Sequence, residues 1–222
     1  PPAHAMLRSL VGSEMCIRDR SMTGRCGGPQ EKSDVFRPAS QLHVQEGLDL
    51  HLVGNSDAAE LFSVVDSNRD YLRQWLPWLD ATNSIDDETA FISNSLEEYE
   101  KREGVFYTIL LNNRIIGTIS LNWIDWGNRA AGVGYWLSED QTGNGYVTKS
   151  CIRLMEHCFD DLSLHRFVLE AAVDNIPSCE IADRIGMRLE GLTKDREWLY
   201  DHYVDAKLYA ITKPEWDEKR TP

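Results

Sequence analysis

The stretch richest in chemistry is 134–149, GYWLSEDQTGNGYVTK. An apolar run ending at Leu137 gives way to acidic residues, then to Gly143-Asn144-Gly145, then to a helical period. From Val147 the apolar positions fall at Cys151, Leu154, Met155 and Cys158, the spacing of one buried helix face. The segment reads as strand, glycine turn, helix. The first N–H groups of a helix have no intrahelical partner and sit at the positive end of its dipole, so such a turn can hold a phosphate. Glycine removes the Cβ that would keep a ligand off the backbone. The turn is neither a P-loop, since no Gly-Lys-Ser/Thr follows, nor the dinucleotide fingerprint. By itself it fits a ligand-free connection equally well.

Other reactive residue types have ordinary readings. Ser178 follows Pro177 in the first turn of an expected helix, where serine usually caps. Glu197 stands among Lys194, Asp195 and Arg196, a run that reads as surface charge. His165 and His202 read as surface or structural. Cys179, beside Ser178, has no evident base to activate it as a nucleophile.

Composition narrows the classes. The 222 residues suit one full domain with extensions. The net charge is −13, and residues 1–38 hold six basic and four acidic side chains, leaving −15 for the remainder. That balance argues against direct nucleic-acid binding, which needs clustered Lys and Arg. It suits a cationic substrate such as a basic protein tail or a polyamine, and solubility alone accounts for it equally well. The five cysteines (16, 26, 151, 158 and 179) form no Cys-x-x-Cys pair, so neither disulfides nor a metal site is expected, and the cytoplasm is the expected compartment. No apolar run approaches a membrane span.

Residues 1–38 mix Pro, Gly, Ser and Arg without period and read as a disordered or artefactual extension. The run LVGSEMCIRDR (10–20) has the look of fused adapter sequence, with Met22 as a native start.

The elements that must position the turn follow in order. Leu48, Leu50 and Leu52 alternate as in a short strand. Asp57-Ala58-Ala59-Glu60 reads as a capping box opening a helix through Leu61 and Val65. A second helical piece holds Tyr71, Leu72 and Trp75 before Pro77, with Trp75 and Trp78 as core or cleft wall. Asp86 to Glu103 reads as a third helix, with Phe91, Ile92, Leu96 and Tyr99 on one face and acids on the other. Val105–Leu111 and Ile115–Ile124 form a hairpin about Asn112-Asn113, and Val133–Leu137 continues the meander. Gly132 and Gly134 mark a bulge or a close ligand approach there. After the turn and its helix come a strand at 166–173, a helix from Pro177 ended by Gly186, and strands about 187–197 and 203–211. This is a mixed α/β domain with a mostly antiparallel sheet. The helical crossover requires strands 133–137 and 166–173 to be parallel neighbours, with the turn at the carboxyl end of the first.

That order, with GYWL, then Gly-x-Gly-Tyr, then VDNIPSCEIADRIGMRLEG (173–191), resembles the GNAT superfamily of acyl-CoA N-acyltransferases. Within it the chain is similar to the RimL/RimJ branch, which acetylates N-terminal amines of ribosomal proteins. The similarity runs from about Glu46 to Ile211, and the domain is set at 46–215. It includes LRQWLPW (72–78), GTISLNWI (117–124), FVLEAAVDN (167–175) and DHYVDAKLYAI (201–211).

The resemblance implies a GNAT fold and acetyl-CoA as co-substrate, with no metal. The family's Gln/Arg-x-x-Gly-x-Gly/Ala turn begins here at Thr142, with Gln141 one residue early, and ends at Val147. Its backbone amides, through Gly143, Asn144, Gly145 and Tyr146, would hold the pyrophosphate. Tyr135, Trp136 and Leu137 would pair with the pantetheine arm, and Asn175 would hydrogen-bond it. Asn122 and Trp123 would line the acceptor cleft. Gly132 stands where many members carry a glutamate base. In the RimL branch the base and a serine acid fall on Glu197 and Ser178. The reaction implied is direct attack by an amine in a ternary complex, the first acceptor being the α-amine of a ribosomal protein; the sequence leaves the oligomeric state open, a homodimer included. A small-molecule amine (polyamine or amino sugar) is the alternative acceptor, and a non-catalytic acyl-CoA-binding domain the alternative class.

Overall fold

A computed structural model describes residues 37–220. Eight strands form one sheet in the order β1-β2-β3-β4-β5-β6-β8-β7. They are β1 (Gln41–Gln45), β2 (Leu48–Leu52), β3 (Val105–Leu111), β4 (Arg114–Asp125), β5 (Ala130–Leu137), β6 (Arg166–Ala172), β7 (Arg188–Leu199) and β8 (His202–Thr212). Every pairing is antiparallel except β5 with β6, which is parallel as the crossover requires. The helices are α1 (Ala58–Ser67), α2 (Arg69–Leu72), α3 (Ile85–Lys101), α4 (Tyr146–Glu156), α5 (Ile176–Arg184) and α6 (Lys213–Arg220).

Strand alternation sorts the side chains onto two faces. Val105, Tyr107 and Ile109 of β3 pack with Val147, Cys151 and Leu154 of α4 in the larger core. Phe106 and Leu110, pointing the other way, pack with Leu61 and Ile92 of α1 and α3. Cys151 and Cys158 are fully buried, as the helical period requires, although α4 loosens into a π turn at His157–Asp161. Gly186, at φ +82, closes α5.

Several expectations are corrected. Strand β1 and helix α6 carry too few buried residues to leave a period, Leu42 and Trp216 being the sole buried side chains in each. The box at 57–60 lies elsewhere: Asp57 accepts from the Gly54 N–H (2.9 Å), while Glu60 accepts from the Ile115 N–H (3.1 Å) and Arg114 (3.0 Å). Not all acids of the third helix face water, since Glu88 is 4% exposed.

The reading of 1–36 lies outside the described residues, but 37 and 38 are part of the fold. Arg37 pairs with Glu100 (2.8 Å), and the Tyr99 hydroxyl donates to the Pro38 carbonyl (2.9 Å). The Tyr107 hydroxyl donates to the Ala39 carbonyl (2.7 Å). A chain beginning at Ser40 therefore strands two buried phenols, at about 1–3 kcal/mol each. Its melting temperature should lie about 5–15 °C below that of a chain beginning at Arg37. Equal melting curves would show that these contacts carry no weight.

Candidate active site

Strands β5 and β6 pair from Ala130↔Arg166 to Val133↔Leu169 and no further, although β5 runs on to Leu137 and β6 to Ala172. Beyond Val133 one edge of β5 loses its partner, while the other stays paired to β4 through Leu137↔Gly117. A cavity of about 1480 Å³ occupies the split. It brings together all of the sequence-derived site residues: Tyr135–Leu137, the turn 142–147, Asn175, Ser178, Glu197, Asn122 and Trp123. His165 and His202 do not line it.

The glycine turn is held from behind. The Thr142 hydroxyl donates to the Glu139 carbonyl (2.7 Å), and the Asn144 amide donates to the carbonyls of Gln141 (3.1 Å) and Thr142 (3.2 Å). With these side chains engaged, the backbone is what faces a ligand. Gly143 and Gly145 both have φ +76, and a Cβ on either would meet no atom of the described residues within 4 Å. Gly145 is the N-cap of α4, and the first intrahelical bond runs from the Lys149 N–H to its carbonyl (3.0 Å). The N–H groups of Tyr146, Val147 and Thr148 thus start the helix without intrahelical acceptors. Lys149 and Arg184 add positive charge to the same wall, Arg184 reaching Thr148 Oγ1 at 3.3 Å. Sequence reasoning passed over both, because isolated cations on amphipathic helices leave no pattern. A helix N-terminus, two cations and an unpaired strand edge fit a long ligand with a phosphate end and amide groups along its arm.

Ser178 sits half-buried in the first turn of α5. Its N–H donates to Asn175 Oδ1 (3.3 Å), so Asn175 is the helix cap and its NH₂ stays available to a ligand. The Tyr135 hydroxyl is buried beside Ser178, outside hydrogen-bonding geometry, and has no partner among the described residues. Burial raises its pKa above the ordinary phenol range, with the Cys151 thiol adding to the shift.

Glu197 owes its direction to a bulge. Thr193 pairs with Ala206 and Glu197 with Val204, so Lys194, Asp195 and Arg196 together oppose Asp205. Asp195 takes φ +48, and Asp205 holds the bulge by accepting from the Asp195 N–H (2.9 Å) and Lys194 Nζ (2.5 Å). Arg196 forks onto Glu170 (2.8 and 2.5 Å). Both Arg196 and Glu197 then line the cavity, where the resemblance rather than the local charge run put Glu197. The Glu197 carboxyl has no hydrogen-bond partner among the described residues. Burial raises its pKa above the usual carboxylate range, against the opposing pull of Arg196.

The bulge expected near Gly132 and Gly134 falls on the neighbouring strand. The β4–β5 register shifts between Leu121 and Trp123, which leaves Asn122 as the extra residue. A Cβ on Gly132 would lie 2.1 Å from Trp123 Nε1, and one on Gly134 2.6 Å from Asn122 Nδ2. These glycines admit the Trp123 and Asn122 side chains rather than a ligand. The indole fills the space a side chain at 132 would need. Ser120 Oγ donates to Asn122 Oδ1 (2.6 Å) and fixes that amide in the cavity wall. Trp75 and Trp78 form another part of the wall, Trp78 tilted against Trp136 with ring centroids 6.5 Å apart. Trp126 packs, donating to the Arg102 carbonyl (2.7 Å). No helix among the described residues is long and apolar enough to cross a membrane.

Comparison with known proteins agrees with this geometry. A family model described as an acetyltransferase (GNAT) domain matches residues 48–188. A ribosomal-protein-serine acetyltransferase of Escherichia coli is 32% identical over 169 residues, covering 76% of this chain and 94% of the relative. A solved RimL ribosomal-protein alpha-N-acetyltransferase in complex with coenzyme A superposes with a TM-score of 0.76 at 30% identity, covering 79% of this chain and 99% of that one. The microcin self-immunity acetyltransferase MccE, solved with acetyl-CoA and AMP, gives 0.74 at 29% identity, covering 76% and 94%. A cavity that joins a glycine turn at a helix N-terminus to an unpaired strand edge suits a coenzyme A ligand, and the chain belongs to the GNAT acetyltransferase family as an acetyl-CoA-dependent N-acetyltransferase.

Proposed function

We propose that the acceptor is the N-terminal α-amine of a protein, a ribosomal protein first among them, acetylated in the cytoplasm by direct attack on acetyl-CoA with Glu197 as base and Ser178 as acid. The observation that carries this is the unpartnered Glu197 carboxyl, partly buried and weakened as an acid, facing the same cavity as the glycine turn. An α-amine has a pKa of about 8 and is roughly a tenth neutral at pH 7, against on the order of a thousandth for lysine. A single carboxylate of raised pKa is a sufficient base for the former. It takes the proton of the ammonium form, which frees the nitrogen lone pair to attack the acyl carbon. As the carbon–sulfur bond breaks, Ser178, half-buried at the α5 N-terminus, supplies a proton to the sulfur directly or through water and is reprotonated from solvent. The relatives named for ribosomal-protein acetylation support the choice of acceptor.

An acceptor panel tests it. A serine-starting peptide carrying one internal lysine, spermidine and an amino sugar are each offered with acetyl-CoA, and the modified nitrogen is located by mass spectrometry. The expected product is the α-N-acetyl peptide, with kcat/KM at least about tenfold above lysine or spermidine. Preference for spermidine or the sugar would overturn the assignment.

A further inference from the structure

Three acids open α3, and the structure gives each a different surrounding. Asp86 is exposed. Asp87 completes the N-terminal cap, accepting from Ser84 Oγ (2.8 Å) and the Asn83 N–H (3.0 Å) while its own N–H donates to Ser84 Oγ (3.2 Å). Glu88 turns inward. It is 4% exposed, lines the cavity, and has no hydrogen bond or ion pair to any described residue. No described residue pairs with that carboxyl, and leaving a buried carboxyl unpaired is costly. Burial, with the charge of Asp87 adding to it, pushes Glu88 up to about 7.

Its neighbours lead back to the strand whose unpaired edge opens the cavity. Phe91, three residues on, shares its helix face. The Phe91 ring meets Phe106 edge-on at 4.9 Å. Phe106 pairs with Ser120, and Ser120 with Gly134, the first residue of β5 past its last pairing with β6. Glu88 therefore stands on the α3 wall, across the sheet from α4 and its glycine turn.

We propose that Glu88 is an acceptor-binding residue, whose carboxyl receives a hydrogen-bond donor, a hydroxyl or a second ammonium, carried by the acceptor beside its reactive amine. This rests on the reading of the cavity as an acceptor site. An acceptor bearing such a group completes a buried carboxyl that the described residues leave open, and one lacking it leaves the carboxyl unpaired. Discrimination of this kind is large because the penalty falls on the wrong ligand.

The test uses three peptides that differ only in the first residue, serine, 2,3-diaminopropionate or alanine, together with spermidine. Each is assayed with the unaltered protein, Glu88→Met and Glu88→Gln, after calorimetry with coenzyme A has shown that the variants fold and bind it. The unaltered protein should prefer serine or diaminopropionate over alanine by about tenfold or more in kcat/KM. Glu88→Met should bring that ratio to within about twofold. Glu88→Gln separates the two donors, since a neutral oxygen keeps the hydroxyl preference and loses the ammonium preference. An unchanged ratio in Glu88→Met overturns the proposal, as does an equal loss on every acceptor, which would mark a general base. If the unaltered protein acetylates spermidine and no peptide, the α-amine reading fails. In that case loss of spermidine turnover in Glu88→Met supports donor binding at Glu88, and retained turnover overturns it.

Discussion

Glu197→Gln should lower kcat/KM for an α-amine acceptor by about 10²–10⁴ at pH 7, the usual scale for loss of a general base. Glutamine keeps the shape and can hydrogen-bond, but it cannot take the proton. The deficit should shrink as pH rises past about 8, where the attacking amine is already neutral. The sign on the acid side is also fixed. Burial raises the Glu197 pKa, so the carboxylate form is lost at a higher pH than for an exposed glutamate, and the acid limb of the unaltered enzyme moves up with it. In Glu197→Gln that limb should follow the amine alone. Melting curves must match first, because Arg196 and Glu170 lie beside the residue. Retention of more than about a third of the activity across pH 6–9 would remove Glu197 from the mechanism.

Gly145→Val should weaken coenzyme A binding by about tenfold or more, measured by calorimetry. Two causes add. At φ +76 a β-branched residue is strained by about 1–3 kcal/mol, and the strain sits at the N-cap that orients the first amides of α4. The new side chain also projects into space that no described residue occupies, beside the amides that open α4. Gly145→Asn separates the causes, since asparagine tolerates the left-handed region while keeping a Cβ. Its affinity should fall between the other two. A folded Gly145→Val protein with unchanged affinity would take the turn out of the site.

Local patterns carried much of this architecture. The 3.6-residue spacing from Val147 to Cys158 foretold a helix face that is buried throughout, and the order of elements fixed the one parallel pairing, β5 with β6. Glycine at 143 and 145 was legible as special, though its left-handed backbone was not. Residues whose role depends on partners far along the chain were harder to read. Glu197 looked like surface charge because its direction comes from a bulge clamped by Asp205, ten residues after Asp195. Gly132 and Gly134 looked like a ligand approach because the side chains they admit, Trp123 and Asn122, belong to the next strand. Glu88 looked solvent-facing because a helical period cannot distinguish an acid on the water side from one aimed into a cavity. Short elements with a single buried residue, β1 and α6, left no period to detect.

The central claim is that amine and acetyl-CoA meet in one cavity and react directly. Initial rates with a serine-starting peptide, varied against several fixed acetyl-CoA concentrations, test it most directly. Double-reciprocal lines that intersect to the left of the ordinate, with no acetyl group on the protein after incubation with acetyl-CoA alone, are the predicted result. Parallel lines, accompanied by an acetyl group on Cys179 or any other side chain, would contradict it.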